Sequence, residues 1–177
     1  WGHDSEIDPG YDNSYGAAHT AAAAIDMIGV VERAFVFEIQ DGKGPDGKAY
    51  WGRWGLFTHE SAGAKPKPRF RALQLLNKLG PQRVELLGKG TFVKAVATTD
   101  DTGAVQIAVA NFDPNGRNAE NVPITIAGLQ PGTYNVKMSF LNRAPSKTTV
   151  TLNETALIQF QLPMGPQEVS LVEITAQ

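Results

Sequence analysis

Residues 92–111, FVKAVATTDDTGAVQIAVAN, decide the fold of the second half of this sequence. Two β-forming runs, residues 92–98 and 105–111, are separated by Asp100-Asp101-Thr102-Gly103, whose residue types favour a chain reversal. Further runs follow at the spacing of roughly 8 to 12 residues that is typical of sandwiches. The other predicted strands are residues 83–87, 122–127, 133–140, 147–152, 156–162 and 168–175. Residues 82–177 are therefore predicted to form an antiparallel β-sandwich.

Residues 1–80 show a different pattern, which alternates helix and strand. Residues 14–28 are rich in alanine at helical spacing, and residues 30–39 (VVERAFVFEI) have the continuous apolar character of a buried parallel strand. A second helix is predicted from Pro68 to Leu79. Because a parallel sheet needs several βα units, one clear strand cannot complete it. We therefore predict that residues 1–80 belong to a larger α/β domain, with its other strands upstream.

Composition and charge exclude several classes of function. The 177 residues contain 16 Lys and Arg against 18 Asp and Glu, without basic runs, so we expect neither nucleic acid nor an anionic membrane surface as a partner. Cysteine is absent, which excludes disulfides and thiolate chemistry. The spacing of His3, His19 and His59 matches no metal-ligand motif, so we expect no metal and no cofactor. Neutral partners such as sugars fit this composition better.

The first candidate site is the end of the predicted strand at residues 30–39. Ligands of parallel α/β folds gather at the carboxyl ends of strands, which makes Phe37, Glu38 and Asp41 candidates for ligand contact. An alternative is that Glu38 pairs with a neighbouring basic residue and that Asp41 opens a turn. The sequence leaves both interpretations open.

The second candidate site is aromatic. Trp1, Tyr50, Trp51 and Trp54 carry flat apolar rings with polar edges, which suit stacking against the C–H faces of sugars. The alternative is that these rings fill the mouth of a barrel or the seam between domains. His3 lies in the same N-terminal segment as Trp1 and joins the candidates.

Three motifs in order carry a resemblance to a known family: FEIQDG at residues 37–42, YWGRWGLFT at residues 50–58 and KPKPRFRALQLLNKLG at residues 65–80. Together they resemble the end of a (β/α)8 glycoside hydrolase, most like family 39 and its relatives in the same clan. In those enzymes the last barrel strand, an aromatic loop and the final helix precede a β-sandwich with a strand like AVQIAVAN at residues 104–111. The resemblance implies the last βα portion of a TIM barrel, residues 1–80, followed by a sandwich accessory domain, residues 82–177.

The resemblance also implies a retaining mechanism with two catalytic glutamates, a nucleophile and an acid/base. By this alignment the nucleophile directly precedes Trp1 and the acid/base lies further upstream, so no residue here is assigned a catalytic role and the isolated chain is expected to be inactive. The family often has Trp where this sequence has Phe37. The implied residues of the sugar-subsite wall are Trp1, His3, Phe37, Glu38, Asp41, Trp51 and Trp54.

Two other readings remain open at this point. The chain could be a non-catalytic carbohydrate-binding or structural module, although after residue 81 it has no Trp and Tyr134 is its sole Tyr. It could also be one part of a split enzyme, with the missing N-terminal barrel segment supplied as another chain. A polysaccharide or oligosaccharide substrate favours a secreted or extracellular location, and the sequence leaves a cytoplasmic one open.

Overall fold

The structure is a computed structural model that describes residues 1–43, 52–88, 90–153 and 157–177. A short 3-10 helix, Pro9–Asp12, precedes helix α1, Ser14–Met27, and a second one, Glu60–Ala62, precedes helix α2, Pro68–Leu76. The strands are β1 Gln82–Arg83, β2 Val93–Thr99, β3 Val105–Asn111, β4 Glu120–Ile126, β5 Gly132–Phe140, β6 Ser146–Leu152, β7 Ile158–Met164 and β8 Glu168–Ala176. No helix of the described residues is long and apolar enough to cross a membrane.

The strands form two antiparallel sheets, as the turn residues between them predict. One sheet has six strands in the order β1-β2-β3-β8-β5-β6, and the other pairs β4 with β7. The hairpin predicted from residues 92–111 is present, with Val93 opposite Asn111 and Thr99 opposite Val105. The predicted strand at residues 83–87 is shorter than expected, because only Gln82 and Arg83 pair with β2.

Side chains from both sheets share one apolar core. Ile158, Leu162 and Met164 of β7 are at most 1% exposed and pack with Val109 and Val172 of the larger sheet. Exposed Gln159 and Gln161 alternate with these buried positions, which is the period of a strand with one buried face. The second sheet is therefore held by burial of one face.

The opposite face of the larger sheet is covered by α1 and α2. Ala18 and Ala21 of α1 are fully buried against a cluster that includes Ala108 and Ala110 of β3. Because these side chains are small, the helix backbone can approach the sheet closely. Every residue of β3 is buried as a consequence, since both faces of this strand are covered.

The bounds of the two helices follow from local signals. The side chain of Asn13 accepts a hydrogen bond from the Tyr15 N–H at 2.8 Å and caps α1, and Gly29 follows its end with a left-handed φ of 79°. Pro68 opens α2, where a missing N–H costs nothing. The second helix ends at Leu76, three residues before the predicted end, and a turn continues to Gly80.

The predicted strand at residues 30–39 is wrong. This segment forms no ladder among the described residues, and the bridge that follows it joins Gln40 to Phe57. Its apolar side chains point to solvent, with Val30 78% and Phe35 77% exposed. A β-strand is defined by its hydrogen bonds to a neighbouring strand. In the described part of this chain no strand lies beside residues 30–37.

Candidate functional site

Three segments of the N-terminal half run side by side and bring candidate residues together. The Trp1 ammonium donates to the Phe35 carbonyl at 2.9 Å, and the Trp54 indole Nε1 donates to the Asp4 carbonyl at 3.4 Å. The Phe37 and Trp54 rings meet edge to face with centroids 5.3 Å apart. The rings of Phe37 and Trp54 therefore border one region, and Phe37 is 56% exposed there. Trp1 joins this region through the contact of its ammonium with Phe35.

Glu38 lies at the centre of this region and is held by its backbone. Its N–H donates to the Trp54 carbonyl at 3.1 Å, and its own carbonyl accepts from the Leu56 N–H at 2.9 Å. The peptide bond between Phe37 and Glu38 is cis. Burial, and secondly the negative charge of Asp41, raise the pKa of the Glu38 carboxyl above its ordinary value. Among the described residues no Lys or Arg forms an ion pair with Glu38.

Asp41 does not face this region. Its side chain is fully buried and its Oδ1 accepts from Lys67 Nζ at 2.7 Å and from the Gly55 N–H at 2.8 Å. Burial raises the pKa of Asp41, although the hydrogen bond and charge of Lys67 oppose that shift. From this position the carboxylate cannot touch a ligand in solvent.

Lys67 is the buried cation of this arrangement. Its side chain is 3% exposed, and besides Asp41 its Nζ donates to the Arg53 carbonyl at 2.7 Å and forms an ion pair with Asp12 at 2.7 Å. Asp12 also pairs with the Arg53 guanidinium at 2.9 Å. The ammonium thus donates hydrogen bonds to the Asp41 and Arg53 oxygens, and the Asp12 carboxylate adds an ion pair.

Arg69 is a second buried cation and is the second residue of α2. Its guanidinium donates to the Trp54 carbonyl and, at 3.2 Å, to Thr20 Oγ1 of α1. It also lies 4.8 Å from the ring centroid of Tyr11, and burial lowers the pKa of Arg69. Arg69 is 1% exposed, so its charge interacts with groups inside the protein and not with solvent.

His3 belongs to a packed aromatic cluster behind Trp1. Its side chain is 3% exposed and its ring centroid lies 3.9 Å from Tyr11 and 5.4 Å from His19. His19 in turn lies 6.3 Å from the Trp1 ring and 5.3 Å from Phe112, which follows β3. Burial, then the charges of His3 and Arg69, lowers the pKa of His19 to about 4. Burial also lowers the pKa of His3, although Asp8 opposes it.

The structure thus divides the predicted site residues into two groups. Trp1, Phe37, Glu38 and Trp54 border the exposed region, whereas His3 and Asp41 lie behind it. Trp51, together with Tyr50, lies outside the described residues. Within those residues no three His, Asp or Glu side chains converge on a position that could hold a metal ion.

Sequence reasoning missed Lys67 and Arg69. Both lie in the motif KPKPR at residues 65–69, which was used for its resemblance and its helix start. Two basic residues at the start of a helix are unfavourable for the helix dipole, because that end carries partial positive charge. This conflict was the available signal that the two cations have buried acidic or carbonyl partners.

A concavity separate from the aromatic region is lined by residues of β4, β7 and β8 and of the segment after β5. It has a volume of about 500 Å³, and Glu120, Arg143 and Glu168 line part of it. Arg143 already donates to Glu168 at 3.0 Å and lies 3.5 Å from the Phe140 ring centroid. This concavity contains no residue of the exposed aromatic region.

Several solved glycoside hydrolases share this fold. A family 39 enzyme from Xanthomonas axonopodis pv. citri matches 99% of this chain with a TM-score of 0.75 and 16% identity, and the match covers 43% of that enzyme. A β-xylosidase from Caulobacter crescentus matches 98% of the chain with a TM-score of 0.69 and 17% identity, over 44% of its length. An α-L-arabinofuranosidase from Thermotoga maritima, solved with arabinose, matches 98% of the chain with a TM-score of 0.63 and 19% identity, over 41% of its length.

The resemblance stated from the three motifs is thus confirmed at the level of the fold, and the chain spans less than half of the structures it matches. No model of a protein family matches the sequence, and no curated protein does.

Proposed function

We propose that this chain is the C-terminal portion of a retaining glycoside hydrolase that acts on O-glycosidic bonds of polysaccharides or oligosaccharides. The observation that carries the proposal is the fold shared with glycoside hydrolases over 98–99% of the chain. In this proposal residues 1–80 complete a TIM barrel and residues 82–177 form its β-sandwich. The two catalytic glutamates lie outside these residues, so the isolated chain is inactive, and we expect the whole enzyme to be secreted.

The exposed edge at residues 30–39 supports the barrel part of this proposal. Val30, Phe35 and Ile39 are 75 to 78% exposed, although they are large and apolar. Exposed apolar side chains beside unpaired backbone are expected where further strands pack. In the parent enzyme those strands come from the upstream barrel, either in the same chain or as a partner chain.

The exposed aromatic region supports the proposed subsite. Trp54, Phe37 and Trp1 offer ring surface for the apolar face of a sugar, and Glu38 offers a carboxyl for its hydroxyls. Because the pKa of Glu38 is raised, the charge of its carboxyl is sensitive to charged neighbours. Near a nucleophile at the adjacent strand end, Glu38 would raise the pKa of that neighbour by charge proximity.

Activity is tested with aryl glycosides, including β-xylosides and α-arabinofuranosides. The longer parent protein from its natural source and the isolated 177-residue chain are compared at equal concentration. We expect turnover by the parent and none by the isolated chain. Turnover by the isolated chain at an enzymatic rate would mean that the catalytic carboxylates were placed wrongly.

The subsite is tested by titrating ¹⁵N-labelled chain with xylobiose and following the three indole N–H resonances. We expect the Trp54 resonance to shift, and Trp54→Ala to weaken xylobiose binding about tenfold, since one ring stack contributes about 1.4 kcal/mol. The control is Leu87→Ala, which removes an apolar side chain that is 83% exposed on another segment. Equal affinity in Trp54→Ala and wild type would contradict the subsite.

A non-catalytic carbohydrate-binding module is the second candidate, and the concavity beside Arg143 is the observation that favours it. A sugar bound there would contact Glu120, Asn121 and Arg143. The same titration separates the two candidates, because shifts confined to the backbone of these three residues would assign binding to the sheets, and shifts at Trp54 would assign it to the aromatic region.

A further inference from the structure

We infer that Lys67 is a positioning residue for the Trp54 loop, which comprises residues 52–57, and that it orients the Trp54 ring toward the proposed sugar subsite. The inference rests on the proposed function for the role of the ring, while the orientation itself can be measured without any sugar. Asp41 acts with Lys67 as a support of the loop, which replaces its predicted role in the subsite wall.

The ammonium of Lys67 has a fixed position. Lys67 is 3% exposed, and its Nζ has three oxygens at 2.7 Å, from Asp12, Asp41 and Arg53. A buried charge without partners is strongly unfavourable, so the three oxygens and the ammonium hold one another in place.

The three oxygens belong to three separate segments of the chain. Asp12 ends the 3-10 helix that leads into α1, Asp41 follows the exposed segment 30–39, and Arg53 begins the stretch that carries Trp54. One side chain therefore connects the start of α1, the end of the proposed barrel strand and the Trp54 loop.

Both sequence neighbours of Trp54 are held by this cluster. The Arg53 carbonyl accepts from Lys67, and the Gly55 N–H donates to the same Asp41 oxygen that Lys67 contacts. The Trp54 carbonyl between them accepts from the Glu38 N–H and from Arg69. With the backbone fixed on both sides, the ring retains only its side-chain torsions.

This arrangement requires a close approach between Gly55 and Asp41. A Cβ at Gly55 would lie 2.2 Å from the Asp41 nitrogen and 2.5 Å from its Oδ1. Glycine therefore allows the loop to contact the buried carboxylate, and the charge of Lys67 makes that buried carboxylate tolerable. The two features together specify where Trp54 lies.

The experiment separates orientation from stability. Removing the ammonium leaves the buried Asp41 carboxylate without its cation, so Lys67→Met is expected to be less stable than wild type. The measurement is made on folded Lys67→Met protein, in which we expect a disordered Trp54 loop. In the ¹⁵N-labelled chain we expect its Trp54 indole resonance to shift and broaden, and the nuclear Overhauser contact between the Trp54 and Phe37 rings to disappear. The matched control is Lys94→Met, because Lys94 is 42% exposed and pairs with Asp26 alone among the described residues. A folded Lys67→Met chain with an unchanged Trp54 signal and ring contact would overturn the inference.

A double-mutant cycle then connects the orientation to sugar binding, with xylobiose as the probe. We expect Lys67→Met to weaken xylobiose binding about tenfold, and to have no further effect in a Trp54→Ala background. An equal loss in both backgrounds would show that Lys67 does not act through Trp54. If wild type binds no xylobiose, the proposed subsite fails, and the ring contact still decides the role of Lys67.

Asp12→Asn provides the second variant should Lys67→Met fail to fold. It keeps the shape of the side chain but removes the charge that pairs with both Lys67 and Arg53. We expect a smaller shift of the Trp54 indole resonance in the same chain. An unchanged resonance in folded Asp12→Asn would contradict the proposed connection between the ion cluster and the loop.

Discussion

The histidine pair behind Trp1 makes the stability of this protein depend on pH in a defined direction. His19 is packed against the rings of His3, Trp1 and Phe112, where there is little room for a hydrated imidazolium. Its pKa falls from the ordinary 6.5 to about 4, chiefly through burial. The folded state therefore binds fewer protons than the unfolded state between these two values.

The size of the effect follows from that difference. A shift from 6.5 to about 4 corresponds to about 3 kcal/mol, and partial solvent exposure of His19 reduces this to about 2 kcal/mol. This contribution of neutral His19 to the free energy of unfolding is fully present above pH 6.5. It falls as the pH decreases from 6.5 to about 4 and is lost below about pH 4. The lowered pKa of His3 acts in the same direction.

The assay is urea unfolding at several pH values between 7.5 and 4.5, for wild type and His19→Gln. We expect the wild-type free energy of unfolding to fall more steeply with decreasing pH, so that the difference between the two proteins shrinks by about 2 kcal/mol. Tyr15→Phe is the control, since it keeps a ring against His3 and changes no group that titrates below pH 7. Parallel curves for wild type and His19→Gln would refute the reasoning.

Two further predictions concern packing. Gly55→Ala should destabilise the chain by at least about 3 kcal/mol, because the new Cβ would lie 2.2 Å from the Asp41 backbone nitrogen. The control Gly103→Ala, whose Cβ would have no atom within 4 Å, should cost about 1 kcal/mol because of its left-handed φ. Thermal unfolding compares the two variants, and equal losses of stability would contradict the close approach at Gly55. Leu162→Ala should cost about 3 kcal/mol in urea unfolding, since the side chain is fully buried between the sheets, and Leu157→Ala, 47% exposed, should cost less than about 0.5 kcal/mol. A small loss for Leu162→Ala would mean that β7 does not pack as described.

The strands after residue 81 were predictable because their signals are local. Turn residues between β2 and β3 and the β-forming runs on each side identify the hairpin without knowledge of the rest of the fold. Helix α1 was predicted to within one residue for the same reason, since Asn13 and Gly29 mark its two ends. In each case the sequence contains both the element and its boundaries.

The segment 30–39 failed because strand formation is not a local property. Its composition is that of a buried strand, yet pairing depends on neighbours that composition cannot supply. Asp41 illustrates the same limit for the site, because its burial is created by Gly55 and Lys67, which follow 14 and 26 residues later. A sequence places an acidic residue at a strand end but does not show which of its neighbours covers it.

The contacts between the N-terminal half and the larger sheet indicate that the sheet supports the Trp54 loop. Ala18 and Ala21 fix α1 on β3, and the residues just before α1 include Asp12, which pairs with Lys67. From Lys67 the connection continues to the loop of Trp54. Because closely packed small side chains leave little freedom for sliding, the sheet acts as a rigid base for this series of contacts. A bulky substitution such as Ala108→Leu would therefore be expected to disturb the Trp54 ring through α1, without touching it.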